Sequence, residues 1–188
     1  MNDYLFRDLP TDQGPLLLLI SNNRLIYCGW VKEGEIEERI NELKERFNKK
    51  DLMADILQPT GGGINILRFG SNLESSFEID RQIKSYFRGE LKEFKIPVEL
   101  HGTEFQLKVW KEISLIPYGE TISYSELAKR IGCPESVRAV AGACGANPVS
   151  IIVPCHRIIG SNGEIGGYNW GKDRKRRLLD LETKNKKY

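Results

Sequence analysis

A chain of 188 residues, 40% hydrophobic and 29% charged, holds enough material for one large domain or two small ones with their own cores. Its longest apolar run, Pro15 to Ile20, falls far short of the roughly 18 residues that cross a bilayer. The N-terminal MNDYLFRDLP lacks the basic-then-apolar layout of a secretory signal, so a cytoplasmic protein is expected. Net charge is +2, but unevenly spread: residues 1–100 carry 14 Lys/Arg against 17 Asp/Glu, and residues 101–188 carry 14 against 9. A basic second half, densest over 172–177, fits a polyanionic partner and equally a solvated helix face.

Along the first half, 16–20 and 25–30 are two β-rich runs joined by Ser-Asn-Asn-Arg, which predicts a hairpin. Ile36, Ile40, Leu43 and Phe47 then fall at i, i+4, i+7 and i+11, the stripe of an amphipathic helix. A Thr-Gly-Gly-Gly turn precedes a short strand at 64–67. Residues 77–87 predict a second helix, with Ile79, Ile83, Tyr86 and Phe87 on one side. Phe94, Ile96, Val98 and Leu100 alternate as in a half-buried strand. No chemical motif occurs up to this point.

The pattern changes near residues 98–102. Residues 105–116 predict a helix with Phe105, Val109, Trp110 and Ile113 inward, broken at Pro117. Ser123 and Glu126 have the spacing of a capping box for a helix ending near Ile131, and Gly132-Cys133-Pro134 stops it. A third helix over 135–145 is rich in small residues, among them Ala139, Ala141, Gly142 and Ala143. Two helices joined by a short Gly-containing turn have the layout of a helix-turn-helix. The small residues suit close helix packing or a backbone pressed into a groove. Residues 151–153 and 157–159 are β-rich, Ser161-Asn162-Gly163 allows a hairpin, and a last helix covers 173–182.

Four cysteines, Cys28, Cys133, Cys144 and Cys155, lack CxxC spacing, and a chain of this size needs no disulfide, so four reduced thiols are expected. His101 and His156 are the only histidines and no Cys/His pair has structural-zinc spacing, so no metal is expected. Pro154-Cys155-His156-Arg157 places a thiol beside ionisable groups that lower the cost of forming a thiolate. In extended chain, neighbouring side chains point oppositely, so Cys155 and His156 cooperate only across a turn or a bridging water. Spacing alone leaves a structural thiol, a nucleophile and a metal ligand all open.

The surroundings narrow the choice. FQLKVW, IPYGETISYSELA, VRAVAGACGANP, IIVPCHRII, GYNWG and RKRRLLDLE follow one another over about 80 residues. In order and spacing they resemble the C-terminal domain of the O6-alkylguanine-DNA alkyltransferases, also called methylated-DNA–protein-cysteine methyltransferases. The first hundred residues match that family only loosely. The resemblance implies an α/β protein in two parts: a ribonuclease-H-like sheet-and-helix scaffold over 1–100, and a winged-helix-like domain over 101–188 that binds DNA and holds the acceptor.

By the same resemblance Cys155 accepts the alkyl group, once and irreversibly, from O6-alkylguanine in duplex DNA, and more weakly from O4-alkylthymine. His156 takes the thiol proton through a water, Glu182 orients His156, and Asn147 orients the turn that carries the thiol. Tyr124 donates toward guanine N3. Arg138 fills the gap left by the extruded base, while Ala139 and Gly142 admit the helix to the minor groove. Tyr168 lines the pocket, and carbonyls near Cys155 and Ile158 accept from the guanine 2-amino group. Asn169 stands where some relatives have serine, so a hydroxyl contact to O6 is not expected. Trp170 stands where some relatives carry glycine and is expected to narrow or cover the pocket, and Ser150 stands where some relatives have proline and is expected to loosen the turn. No cofactor and no obligate protein partner are implied, and the protein is expected to be a monomer. A DNA-binding damage sensor or regulator without transfer activity is the alternative reading.

Overall fold

The computed structural model describes residues 4–32, 34–47 and 73–186, and the expected strand at 64–67 lies outside them. The described residues form two compact units: Met1–Lys84 with Ile96–Glu99, and Ser85–Lys95 with Leu100–Tyr188. The change of unit near residue 100 matches the change of sequence pattern, but 85–95 groups with the second unit instead of the first.

In the first unit β1 (Tyr4–Leu9), β2 (Leu16–Ser21) and β3 (Arg24–Trp30) form an antiparallel sheet in that order. β2 is the central strand and buries every residue, which is why its apolar run is continuous and does not alternate. The β2–β3 hairpin turns on Asn22 and Asn23, at φ 47° and 63°, the left-handed pair of a tight hairpin turn that Asn tolerates. β1 escaped the sequence pattern because Leu5 and Phe6 are both buried and break the period of two. α1 (Ile36–Arg46) buries Ile36, Ile40 and Leu43; α2 (Leu73–Phe87) buries Ile79 and Ile83 here, while its last turn, with the buried Tyr86, belongs to the second unit. Arg7 pairs with the buried Asp80 of α2. The expected strand over 94–100 reduces to one parallel bridge between Leu25 and Val98. Pro97 supplies a carbonyl to Leu25 but has no N–H to continue a ladder.

The second unit is built on three packed helices, α3 (Glu104–Ser114), α4 (Tyr124–Arg130) and α5 (Val137–Gly145). Thr103 and Gln106 cap α3 reciprocally. Trp110 is fully buried, and its Nε1 donates to the Ala143 carbonyl at 2.8 Å, tying α3 to α5. Gly102 accommodates that indole: a Cβ there would lie 2.6 Å from the ring. Ser123 caps α4 as expected, but Glu126 turns its carboxylate to Arg130. Gly132, at φ 72°, ends α4 in the left-handed conformation that glycine adopts without strain.

β4 (Ile122–Ser123) and β5 (Ile158–Ile159) form a two-stranded parallel sheet, and α6 (Lys172–Asn185) closes the chain. The expected hairpin about Ser161 is therefore a turn without a second strand, since β5 pairs with β4. Residues 151–153 are likewise not a strand. Pro148 and Pro154 flank them, and Ile151 sits at φ 75°, a costly position for a β-branched residue.

Candidate active site

The turn 147–154 exists to present one sulfur. Asn147, buried after α5, accepts from Val149 N at 3.0 Å and donates through Nδ2 to the Val153 carbonyl at 2.8 Å. The same Nδ2 lies 3.1 Å from Cys155 Sγ. One amide thus braces both ends of the turn that strains Ile151 and also supports the thiol. Cys155–Arg157 is a single 3-10 turn, 6% exposed at the cysteine. With about three residues per turn, adjacent side chains project roughly 120° apart, so Cys155 and His156 are not opposed as in extended chain. The turn required for their cooperation is present.

His156 is 0% exposed, and its Nε2 lies 2.8 Å from Glu182 Oε1. A carboxylate only accepts, so Nε2 carries the ring proton and Nδ1 keeps a lone pair. Nδ1 is buried and has no hydrogen-bond partner among the described residues. Glu182 accepts four further hydrogen bonds from three residues. Tyr86 OH donates to Oε1 at 2.8 Å, Arg157 Nη2 to Oε1 at 2.9 Å, Arg157 Nε to Oε2 at 2.9 Å, and Gly119 N to Oε2 at 2.9 Å. Arg157 also donates to the Ile116 carbonyl.

These surroundings set the protonation states. Burial pushes the Cys155 thiol above its ordinary range, and the Asn147 hydrogen bond and Lys175 charge offset this only in part. The resting group is therefore a thiol, so a base must take its proton during reaction. Burial holds His156 below its ordinary value despite the pull of Glu182, which leaves it neutral and able to act as that base. Burial would raise Glu182, but the hydrogen bonds from His156 and Arg157 and the Arg157 charge outweigh it and hold the carboxyl well below the usual range. Glu182 therefore stays a carboxylate that orients the ring and does not compete for the proton.

Cys155 lines a cavity of about 330 Å³ together with Tyr124, Ala141, Cys144, Gly167, Tyr168 and Asn169. Its size lies at the lower end of small-ligand pockets. Tyr124, Tyr168 and Asn169 were expected there. Ile158 was expected at the pocket but is buried outside this lining, and its carbonyl accepts from Lys175 Nζ. Trp170 is not among the residues lining the cavity; its Nε1 donates to Ser150 Oγ at 2.7 Å, so Ser150 fastens the turn to the loop after β5. Arg138, Ala139 and Gly142 are exposed on α5, and a Cβ at Gly142 or Gly145 would meet nothing within 4 Å. Packing among the described residues thus does not require Gly142 or Gly145 to be small.

Lys175, Tyr86, Gly119 and Cys144 were not singled out from sequence. Lys175 is 0% exposed, donates to the carbonyls of Ile158 and Gly167, and places Nζ 5.7 Å from the centre of the Tyr124 ring. In the basic run it reads as one solvated lysine among several. The signal that distinguishes it is spacing: Lys175, Leu178 and Glu182 occupy i, i+3 and i+7, and all three are buried.

A protonated thiol held by an amide, next in the chain to a neutral imidazole bonded to a carboxylate, has the arrangement of an activated Cys–His–acid site, here set next to a helix-turn-helix. Residues 104–184 match the family model described as 6-O-methylguanine DNA methyltransferase, DNA binding domain. The methylated-DNA–protein-cysteine methyltransferase of Mycobacterium tuberculosis H37Rv is 55% identical over 101 residues, which is 54% of this chain and 61% of that protein. That alignment spans under two thirds of the curated relative. The crystal structure of the M. tuberculosis O6-methylguanine methyltransferase superposes with a TM-score of 0.73 at 37% identity, covering 98% of this chain and 94% of that one. A structure of the M. tuberculosis protein in complex with DNA gives 0.72 at 36% identity, covering 96% and 93%. This chain belongs to the methylated-DNA–protein-cysteine methyltransferase family.

Proposed function

We propose that this protein reverses alkylation damage directly, moving a methyl group from O6-methylguanine in duplex DNA to Cys155. The observation that carries the reading is the Cys155 thiol, braced by Asn147 and lining a base-sized cavity next to His156. In the reaction the S–C bond forms as the methyl C–O bond breaks. The thiol proton passes through a water to His156 Nδ1, and the guanine leaves as an anion that the Tyr124 hydroxyl stabilises by a hydrogen bond to N3 until solvent protonates it. Burial raises Tyr124 to about 12, so its hydroxyl keeps its proton and serves as a donor. The product is a thioether with no group nearby to cleave it, which makes the reaction single-use.

The base reaches the cavity by extrusion from the stack, at a cost of a few kcal/mol. Exposed Arg138 fills the gap, and the small residues Ala139 and Gly142 let α5 enter the minor groove. Tyr168 and Asn169 line the base, and the Cys155 carbonyl accepts from its 2-amino group. The Ile158 carbonyl has only the lone pair left by Lys175 for this purpose. O4-alkylthymine is a weaker substrate. The sheet of the first unit is a ribonuclease-H-like scaffold over about 1–100, the second unit is winged-helix-like, and the protein works as a monomer in the cytoplasm.

Intact-mass measurement after incubation with a methylated duplex oligonucleotide tests the reading. Expected is the gain of one methylene on the Cys155 peptide, reaching one equivalent and then halting, and no gain in Cys155→Ala. Tight binding of damaged duplex without any mass gain would instead establish a damage sensor.

A further inference from the structure

Glu182 Oε1 is shared. Besides the His156 imidazole and Arg157, it accepts from Tyr86, which lies in the last turn of α2 and is 0% exposed. The Tyr86 oxygen is also 3.4 Å from His156 Nε2. The ring packs edge-on against Phe87 and Tyr118 and tilted against Phe94, contacts that a phenylalanine would make equally well. Only the hydroxyl distinguishes tyrosine here, and it is directed at the carboxylate that governs the base. Burial and the neighbouring Glu182 charge keep it a phenol, hence a donor, throughout the working pH range.

We propose that Tyr86 is a positioning residue for alkyl transfer. Its hydroxyl fixes Glu182 Oε1 opposite His156 Nε2 and draws off part of the carboxylate charge, so that the ring rests neutral with Nδ1 ready to accept the thiol proton. Tyr86 touches neither the sulfur nor any reacting atom. The inference rests on the reading of Cys155 as acceptor and His156 as its base.

Several groups bear on His156. Glu182 favours the imidazolium, Arg157 and Lys175 oppose it, and burial opposes it most. Tyr86 acts by weakening the one favourable partner. Tyr118 bears on the same carboxylate, and its ring lies 5.8 Å from the Arg157 guanidinium. Removing the Tyr86 hydroxyl strengthens the pull of Glu182 and moves protonation of His156 to higher pH.

Long-range ¹H–¹⁵N NMR on protein labelled at histidine reads both ring nitrogens of His156 across pH, with the exposed His101 as internal reference. Tyr86→Phe is expected to raise the His156 midpoint by about one pH unit, a tenfold gain in proton affinity. Placing 3-fluorotyrosine at position 86 keeps the ring but makes a stronger donor, and is expected to lower the midpoint. A merely structural tyrosine gives no such opposed pair. Midpoints that stay at the wild-type value in both proteins overturn the proposal. If Tyr86→Phe does not fold, the fluorotyrosine protein decides alone. Methyl uptake is followed in parallel, and its acid limb is expected to shift upward with Tyr86→Phe. No uptake by the wild-type protein strikes at the proposed function. Normal uptake with an unmoved acid limb strikes at Tyr86.

Discussion

At Cys155 two influences compete. Burial favours the thiol, and the Asn147 amide with the Lys175 charge favours the thiolate. Asn147→Ala removes the donor to sulfur and leaves Val149 N and the Val153 carbonyl without their buried partner, at a cost of about 1–3 kcal/mol. Urea unfolding should show that loss, and methyl transfer should slow as well. Lys175→Met should move the pH dependence of Cys155 alkylation by iodoacetamide to higher pH, because a favourable positive charge is lost. An unmoved profile would remove Lys175 from the account of the thiol. Glu182→Gln is not a clean kinetic variant. It leaves the buried Arg157 without its carboxylate, so a destabilisation of about 3–5 kcal/mol should accompany the slower transfer. At this scale the sequence was legible where motif residues sit close together, as in Pro154-Cys155-His156-Arg157. It was opaque at Tyr86, whose role depends on which side of a helix meets the site, and only faintly legible at Lys175, where the i, i+3, i+7 stripe with Leu178 and Glu182 lies hidden in a basic run.

Helices and hairpins were read well where a local period decides them. The stripe of α1, the turn at Asn22–Asn23 and the Ser123 cap each follow from contacts a few residues apart. Residues 151–153 and 94–100 have strand composition, but proline, together with positive φ at Ile151, overrides it. The parallel pairing of β4 with β5 joins residues more than thirty positions apart and has no local signature. Two variants test how elements contribute. Thr103→Ala should cost ~1 kcal/mol in urea unfolding, since it removes the side-chain half of the α3 cap. Ser150→Ala cuts the tie to Trp170, and should quicken hydrogen exchange over 147–153 while leaving α3 unchanged.

Across the chain, the buried titrating groups couple stability to pH. The His156 ring has a folded pKa below its ordinary 6.5, so the unfolded chain binds a proton first as pH falls through that value. Stability is therefore full above this range and declines below it, until the folded ring is protonated too. Glu182 is depressed from 4.5, so its contribution is full above that value and is lost only in stronger acid. A thermal midpoint that is level from about pH 7.5 to 8 and falls between 6.5 and 5 is expected, with the upper part of that fall absent in His156→Gln. The carboxylate of Glu182 has one more consequence. It gathers donors from positions 86, 119, 156 and 157, yet it is supplied by the last helix of the chain. Without the later turns of α6, the buried His156 ring and Arg157 guanidinium would both lack the carboxylate they share.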